Sequence, residues 1–168
     1  GLENRNGRIH VINDGNKGVF VMGNRYAPDH FEGIIPETST SEVDLLARSG
    51  VVGIVKSKNS MIKDPTRVRI LGYVCNEDGS VLNTRDSPLI HPSKACKTNS
   101  KRARLILVVG TSMNSGKSTA AAACCWALST MGYEVRASKV TGTASLQDIL
   151  RMNDAGASVY NDFTHFGY

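Results

Sequence analysis

Residues 105–119 have the sequence LILVVGTSMNSGKST. The apolar run at 105–109 is typical of a strand that is buried on both faces of a parallel sheet. The glycines and small polar residues after it predict a loop, and the alanine-rich segment 119–131 has high helix propensity. Gly132 follows that segment and is a residue type that often ends a helix. The pattern therefore predicts a strand, a glycine loop and a helix in succession.

The loop has the composition of a phosphate-binding site. Backbone N–H groups at a helix N-terminus attract anions, and Gly116 lets the backbone approach a phosphate closely. Lys117 is expected to stabilise the β- and γ-phosphates, and the hydroxyl of Ser118 occupies the position that ligates Mg²⁺. Thr119 can reach the α-phosphate. The sequence thus predicts a P-loop for ATP or GTP, or Walker A motif, formed by Gly110, Thr111, Ser112, Met113, Asn114, Ser115, Gly116, Lys117, Ser118 and Thr119.

The spacing of the loop resembles that of a known family. Five residues separate Gly110 from Gly116, where the standard pattern has four. The same spacing, G-T followed by four residues and G-K-S/T, is found in the dethiobiotin synthetase group of P-loop NTPases. Ser138-Lys139-Val140 is similar to the K-P-V segment of those enzymes, whose lysine faces substrate and phosphates. The resemblance implies catalytic roles for Lys117 and Lys139.

A second likeness concerns residues 151–157, RMNDAGA. They resemble the R-x-x-x-A-G-A stretch of the GTP-binding adaptor in molybdopterin-guanine dinucleotide biosynthesis. The two likenesses together cover roughly residues 105–160 and leave the front half of the chain unmatched. The signature lysine of deviant-loop ATPases, expected near Ser112, is absent, which argues against a partition-type dimeric ATPase.

The predicted fold class is α/β. A P-loop NTPase core with a parallel sheet is expected at residues 105–168, after a small β-rich domain at 1–92 and a basic linker at 93–104. In the front domain, strands are expected at 18–22, 51–55 and 68–74, a hairpin at Asp78-Gly79, and a helix at 42–49 between Ser41 and Gly50.

After the loop helix, the sequence predicts a strand at 134–140 and a helix that opens at Ser145 and closes at Gly156. A third strand at 157–161 would end at Asp162, which could ligate Mg²⁺ directly or through water; an acidic residue there is equally a common turn former. Residues 105–168 are few for a doubly wound domain, so we expect the core to be incomplete and the natural chain to continue past Tyr168.

Composition limits the class of protein. The formal net charge of +5 comes from residues 1–104, which hold 16 Lys and Arg against 11 Asp and Glu, but no aromatic-interleaved basic motif accompanies it, so nucleic-acid binding is not expected. No apolar run is long enough for a membrane span, and a cytoplasmic protein is expected. The four cysteines, Cys75, Cys96, Cys124 and Cys125, have no metal-ligand spacing and are expected to be reduced thiols.

These patterns lead to two functional hypotheses. The first is a Mg²⁺-dependent enzyme that transfers the γ-phosphoryl group of ATP to a small, unidentified acceptor; the dethiobiotin synthetase resemblance suggests a carboxylate. The second is a weakly hydrolytic or non-catalytic GTP- or ATP-dependent adaptor, which docks a protein partner through its β-rich domain. ATP is expected rather than GTP because the chain has no N-K-x-D motif. The sequence also leaves a homodimer open.

Overall fold

The structure, a computed structural model, describes residues 1–91 and 103–168. It divides into two compact units, Gly1–Leu82 and Asn83–Tyr168. Residues 83–91 thus belong to the second unit. The predicted linker at 93–104 lies outside the described residues except for Ala103 and Arg104. Within the described parts of the chain, no helix is both long enough and apolar enough to cross a membrane.

The first unit is built from short strands. They are β1 (Leu2–Glu3), β2 (Ile9–His10), β3 (Val21–Met22), β4 (Arg25–Tyr26), β5 (Phe31–Ile34), β6 (Glu42–Leu45), β7 (Val51–Lys58) and β8 (Arg67–Arg69). β1 and β2 form an antiparallel pair, and the larger sheet has the order β4-β5-β7-β6-β8, in which β3 also pairs with β7. The strand predicted at 51–55 lies within β7, whereas those predicted at 18–22 and 68–74 overlap β3 and β8 by only two residues each.

One core cluster of the first unit packs against this sheet. Val43 and Leu45 from β6 and Val52 from β7 are buried together. Their alternation with polar neighbours follows from the period of two along a strand.

The predicted hairpin at Asp78-Gly79 is confirmed, because Cys75 and Val81 form an antiparallel bridge and Gly79 adopts the left-handed conformation, with φ of 83°.

The helix predicted at residues 42–49 is wrong. The structure has strand β6 there, paired on one side with β7 and on the other with β8. The apparent helix cap at Ser41 is a local signal, whereas the strand is stabilised by two neighbours that are distant in sequence. Arg67 of β8 also forms an ion pair with the buried Asp44 of β6 at 3.4 Å. Tertiary pairing therefore overrides the local preference.

The second unit contains two helices and two longer strands. They are α1 (Lys117–Thr130), β9 (Arg136–Lys139), α2 (Leu146–Asp154) and β10 (Val159–Asp162). β9 and β10 are parallel, and Lys139 and Asp162 are partners at the carboxyl end of the pair. These elements match the helix, strand, helix and strand predicted after the glycine loop. Short 3-10 turns occur at Thr84–Asp86 and Phe163–Phe166.

Both helices contribute side chains to the core of this unit. Cys125 of α1, Met152 of α2 and Ala157 after α2 are buried against one another. Burial, with a smaller contribution from Cys124, raises the pKa of the Cys125 thiol, as expected for a small core residue. Cys75, Cys124 and Cys125 are free thiols, and Cys96 lies outside the described residues.

The predicted α/β class, with a parallel P-loop core, is contradicted by the structure. The described chain is mostly β, with two α-helices, and its sheets are antiparallel apart from the β9–β10 pair and the two-residue β3–β7 pair. Residues 105–109 form no strand, and Leu105 is 88% exposed. A strand requires a neighbour for its backbone hydrogen bonds, and no described strand pairs with this run. The apolar composition alone could not establish that pairing.

Candidate functional site

The glycine loop leads directly into α1. Gly116 is the residue that precedes the helix, and its φ of 89° lies in the left-handed region that favours glycine. Asn114, two residues earlier, has φ of 60° and is the one described non-glycine residue with positive φ. These two residues turn the chain sharply before Lys117, the first residue of α1.

Lys117 bends back over its own loop. Its Nζ donates hydrogen bonds to the carbonyl oxygen of Ser112 at 2.5 Å and to the hydroxyl of Ser115 at 3.2 Å. Gly110 lies beneath this arrangement: a Cβ added there would be 2.4 Å from Ser115 Oγ and 2.9 Å from Lys117 Cγ. The loop is therefore closed across Gly110, and a side chain at that position would require Ser115 and Lys117 to move.

The N-terminus of α1 is open to an anion. None of the described side chains caps it, and its first turn contains no acidic residue. Its first backbone N–H groups thus remain available, since they have no acceptor within the helix. In the part of the chain that the structure describes, the hydroxyls of Ser118 and Thr119 also make no hydrogen bond. The partial positive charge at the helix start and the Lys117 ammonium act on the same small region.

Lys139 has a different environment from the one expected for a free catalytic group. Its ammonium forms an ion pair with Asp148 of α2 and donates to the carbonyl oxygen of Thr143 at 2.6 Å. The side chains of Lys139 and Asp148 are only 16% and 27% exposed. Lys139 therefore links the end of β9 to the first turn of α2. The sequence did not indicate Asp148 as its partner. Neither periodicity nor spacing indicates this pairing across the loop.

Asp162 is engaged in local structure. Its side chain is buried, and its Oδ1 accepts hydrogen bonds from the Thr164 backbone N–H at 3.0 Å and from the Thr164 hydroxyl at 2.6 Å. The same oxygen lies 2.9 Å from His165 Nδ1. Burial opposes the charged form, but these hydrogen bonds outweigh it and lower the pKa of Asp162. The carboxylate thus caps the 3-10 turn, which is the turn-forming role that the sequence allowed.

The predicted site residues fall into two groups. Gly110, Ser112, Ser115 and Lys117 come together in the loop, while Lys139 and Asp162 lie side by side at the end of the parallel pair. No hydrogen bond or ion pair among the described residues joins Lys117 to Lys139 or to Asp162. The described residues also contain no cluster of three or more His, Cys, Asp or Glu side chains that could hold a metal ion.

No protein-family model, curated protein or solved structure matches this chain.

Proposed function

We propose that the loop at residues 110–119 binds the phosphates of a nucleoside triphosphate together with Mg²⁺. The observation that carries the proposal is the open N-terminus of α1, which begins at Gly116 and Lys117 without a side-chain cap or an acidic residue. A helix start with these properties offers converging N–H donors and a positive potential to an anion. An ordinary surface helix more often begins with Ser, Thr, Asp or Asn.

Lys117 supplies the positive charge for the β- and γ-phosphates. In the described conformation its ammonium is hydrogen-bonded to Ser112 O and Ser115 Oγ, both within the loop. Phosphate oxygens are stronger acceptors than a neutral carbonyl or hydroxyl, because both partners of the hydrogen bond are then charged. A bound triphosphate would therefore replace these internal contacts, which hold the lysine over the loop until then.

The hydroxyls of Ser118 and Thr119, which have no hydrogen bond to any described residue, are available for the remaining contacts. Ser118 would contribute one oxygen to Mg²⁺, and Thr119 would contact the α-phosphate. Mg²⁺ keeps several waters and is often bound by few protein ligands together with phosphate oxygens. One hydroxyl at the helix start is therefore a sufficient protein contribution, and the proposal does not require the buried carboxylate of Asp162.

The proposed reaction is transfer of the γ-phosphoryl group of ATP to a small acceptor, for which a carboxylate is the best candidate. This part rests on the resemblance of the loop and of residues 138–140 to dethiobiotin synthetases. When bound, Mg²⁺ would neutralise charge on the phosphates, and Lys117 would do the same from the loop. A catalytic role for Lys139 requires its ammonium to exchange Asp148 for the phosphate or the acceptor.

One observation favours the alternative, a nucleotide-dependent adaptor. The first unit exposes several large apolar side chains, among them Val11, Val19, Tyr26, Met61, Leu71 and Tyr73. Such side chains form a protein-binding surface where they are contiguous, whereas single exposed apolar residues are common on any protein. In this second hypothesis the loop controls the docking of a partner by its nucleotide state, and turnover is slow.

Isothermal titration of the whole chain with ATP and with GTP, each with and without Mg²⁺, tests the proposal. We expect saturable binding that is tighter with Mg²⁺; no binding of either nucleotide would contradict it. A turnover assay on the same sample, with a panel of small carboxylic acids, separates the two hypotheses. ADP production that depends on a carboxylate supports transfer, whereas binding without acid-dependent turnover supports the adaptor.

A further inference from the structure

A shallow, open cavity of about 500 Å³ lies between α1 and α2, beside the phosphate loop. Residues on one face of α1 form one side of it, and charged residues of α2 form the other. Its lining includes Thr119, Ala122, Ala123, Trp126, Arg151 and Asp154. The volume is within the range of small-molecule sites, roughly 300–1,000 Å³.

We propose that this cavity binds the nucleoside, a ribose with a purine base, of the nucleotide whose phosphates lie at the loop. The inference rests on the proposed function and adds a place for the base. Thr119 connects the two sites, because it is the last residue of the loop and also lines the cavity. A ligand whose α-phosphate meets Thr119 therefore enters the cavity at that end.

The spacing along α1 fits this ligand. Trp126 is seven residues beyond Thr119, which places it roughly 10 Å farther along the helix axis. The ribose and base extend over a similar span beyond the α-phosphate. Between the two residues the floor is formed by Ala122 and Ala123, whose small side chains leave room for the sugar.

Trp126 is suited to stack on the base. It lies on the surface of the second unit and is 64% exposed. A flat aromatic face in a cavity binds any nucleobase by stacking, with little dependence on sequence or base identity. An indole that packs in the core would instead be covered by its own chain.

Two charged side chains of α2 also line the cavity. Arg151 and Asp154 are exposed, and neither side chain has an ion pair or a hydrogen bond among the residues that the structure describes. A guanidinium donates to ring nitrogen and carbonyl acceptors of a purine, and a carboxylate accepts from its ring N–H and amino groups. The cavity thus offers one donor and one acceptor to the edge of the base.

The fluorescence of Trp126, the one tryptophan in the chain, reports on this cavity directly. The probes are Mg²⁺ with ATP, GTP or inorganic triphosphate, the last of which has phosphates and no base. We expect ATP or GTP to change the emission in a saturable way, and inorganic triphosphate to bind by titration calorimetry with little change in emission. An equal response to inorganic triphosphate would overturn the inference.

Two substitutions complete the test. Trp126→Ala should weaken binding of the nucleotide by about tenfold, the order of one base–aromatic stack, and leave binding of inorganic triphosphate unchanged. Trp126→Phe should restore most of the loss, since it keeps an aromatic ring. Unchanged nucleotide affinity in Trp126→Ala would overturn the nucleoside site. Emission of Trp126 that changes with protein concentration when no ligand is present would also overturn it. If neither nucleotide nor triphosphate binds, the phosphate loop fails and the nucleoside site fails with it.

Discussion

The ammonium of Lys139 at the end of β9 is paired with the carboxylate of Asp148 in the first turn of α2. Residues 140–145 form a loop between β9 and α2. The ion pair therefore closes this loop and also joins the strand to the helix. A second contact, the hydrogen bond from Lys139 Nζ to the carbonyl oxygen of Thr143 at 2.6 Å, holds the middle of the same loop. This half-buried cluster joins β9 to α2 through an ion pair and a hydrogen bond.

Removing the carboxylate should therefore destabilise the second unit. Asp148→Asn leaves Lys139 without a counterion, and we expect a loss of about 1–2 kcal/mol, between the values for exposed and fully buried pairs. Urea unfolding followed by Trp126 fluorescence measures it. The matched control is Glu134→Gln, which removes the exposed Arg136–Glu134 ion pair and should cost less than about 1 kcal/mol. Equal losses of stability in the two variants would show that the Lys139–Asp148 ion pair contributes no more to stability than the exposed pair.

Asp162 should give the second unit a stability that depends on acid pH. Its pKa is below the ordinary value in the folded state, so the folded protein binds fewer protons than the unfolded chain as the pH falls. The contribution is complete above the unfolded pKa, near 4, and is lost as the pH falls through the lower folded value. Urea unfolding between pH 7 and pH 2 should show this decline.

Asp162→Asn tests the assignment. It retains a capping oxygen without the charge, and we expect about 1–2 kcal/mol less stability at pH 7 because charged hydrogen bonds are stronger. The acid decline should also become shallower. Asp154→Asn, at an exposed position in the same unit, serves as the control and should retain the full decline. If the stability of Asp162→Asn declines with falling pH in parallel with that of the wild type, groups other than Asp162 cause the acid dependence.

Gly110 should be required for the loop conformation. A methyl group at this position would meet Ser115 Oγ and the Lys117 stem at distances that real contacts do not allow. We expect Gly110→Ala to weaken nucleotide binding by roughly tenfold or more, equivalent to at least 1.4 kcal/mol, with the helical circular dichroism unchanged. The control is Gly72→Ala, where an added Cβ has open space. Titration calorimetry on both variants decides the matter, and equal affinities would contradict the closed loop.

Local signals in the sequence predicted α1, β9, α2 and β10 well. The segment 119–131 combined alanine-rich composition with a stop at Gly132, and α1 ends at Thr130 with Gly132 in the left-handed conformation. Such features act within one helix and need no distant partner. The turn at Asp78-Gly79 was predictable for the same reason.

Features that depend on distant partners were not predictable. The segment 42–49 has a capping pattern, yet β6 forms because β7 and β8 pair with it. The apolar run at 105–109 has the composition of a buried strand, yet it is exposed and unpaired among the described residues. The same limit applies to the candidate site, where motif spacing indicated Lys117 and Lys139 but could not indicate that Asp148 neutralises Lys139.

The affinity of Lys117→Ala for nucleotide tests the central claim most directly. Titration calorimetry with ATP and Mg²⁺ should show a loss of roughly 10- to 100-fold, the equivalent of the 1.5–3 kcal/mol that a hydrogen bond to a charged group contributes. Lys63→Ala, which removes an exposed lysine of the first unit, should bind like the wild type. If Lys117→Ala is folded and binds ATP as tightly as Lys63→Ala, the loop at residues 110–119 is not a phosphate site.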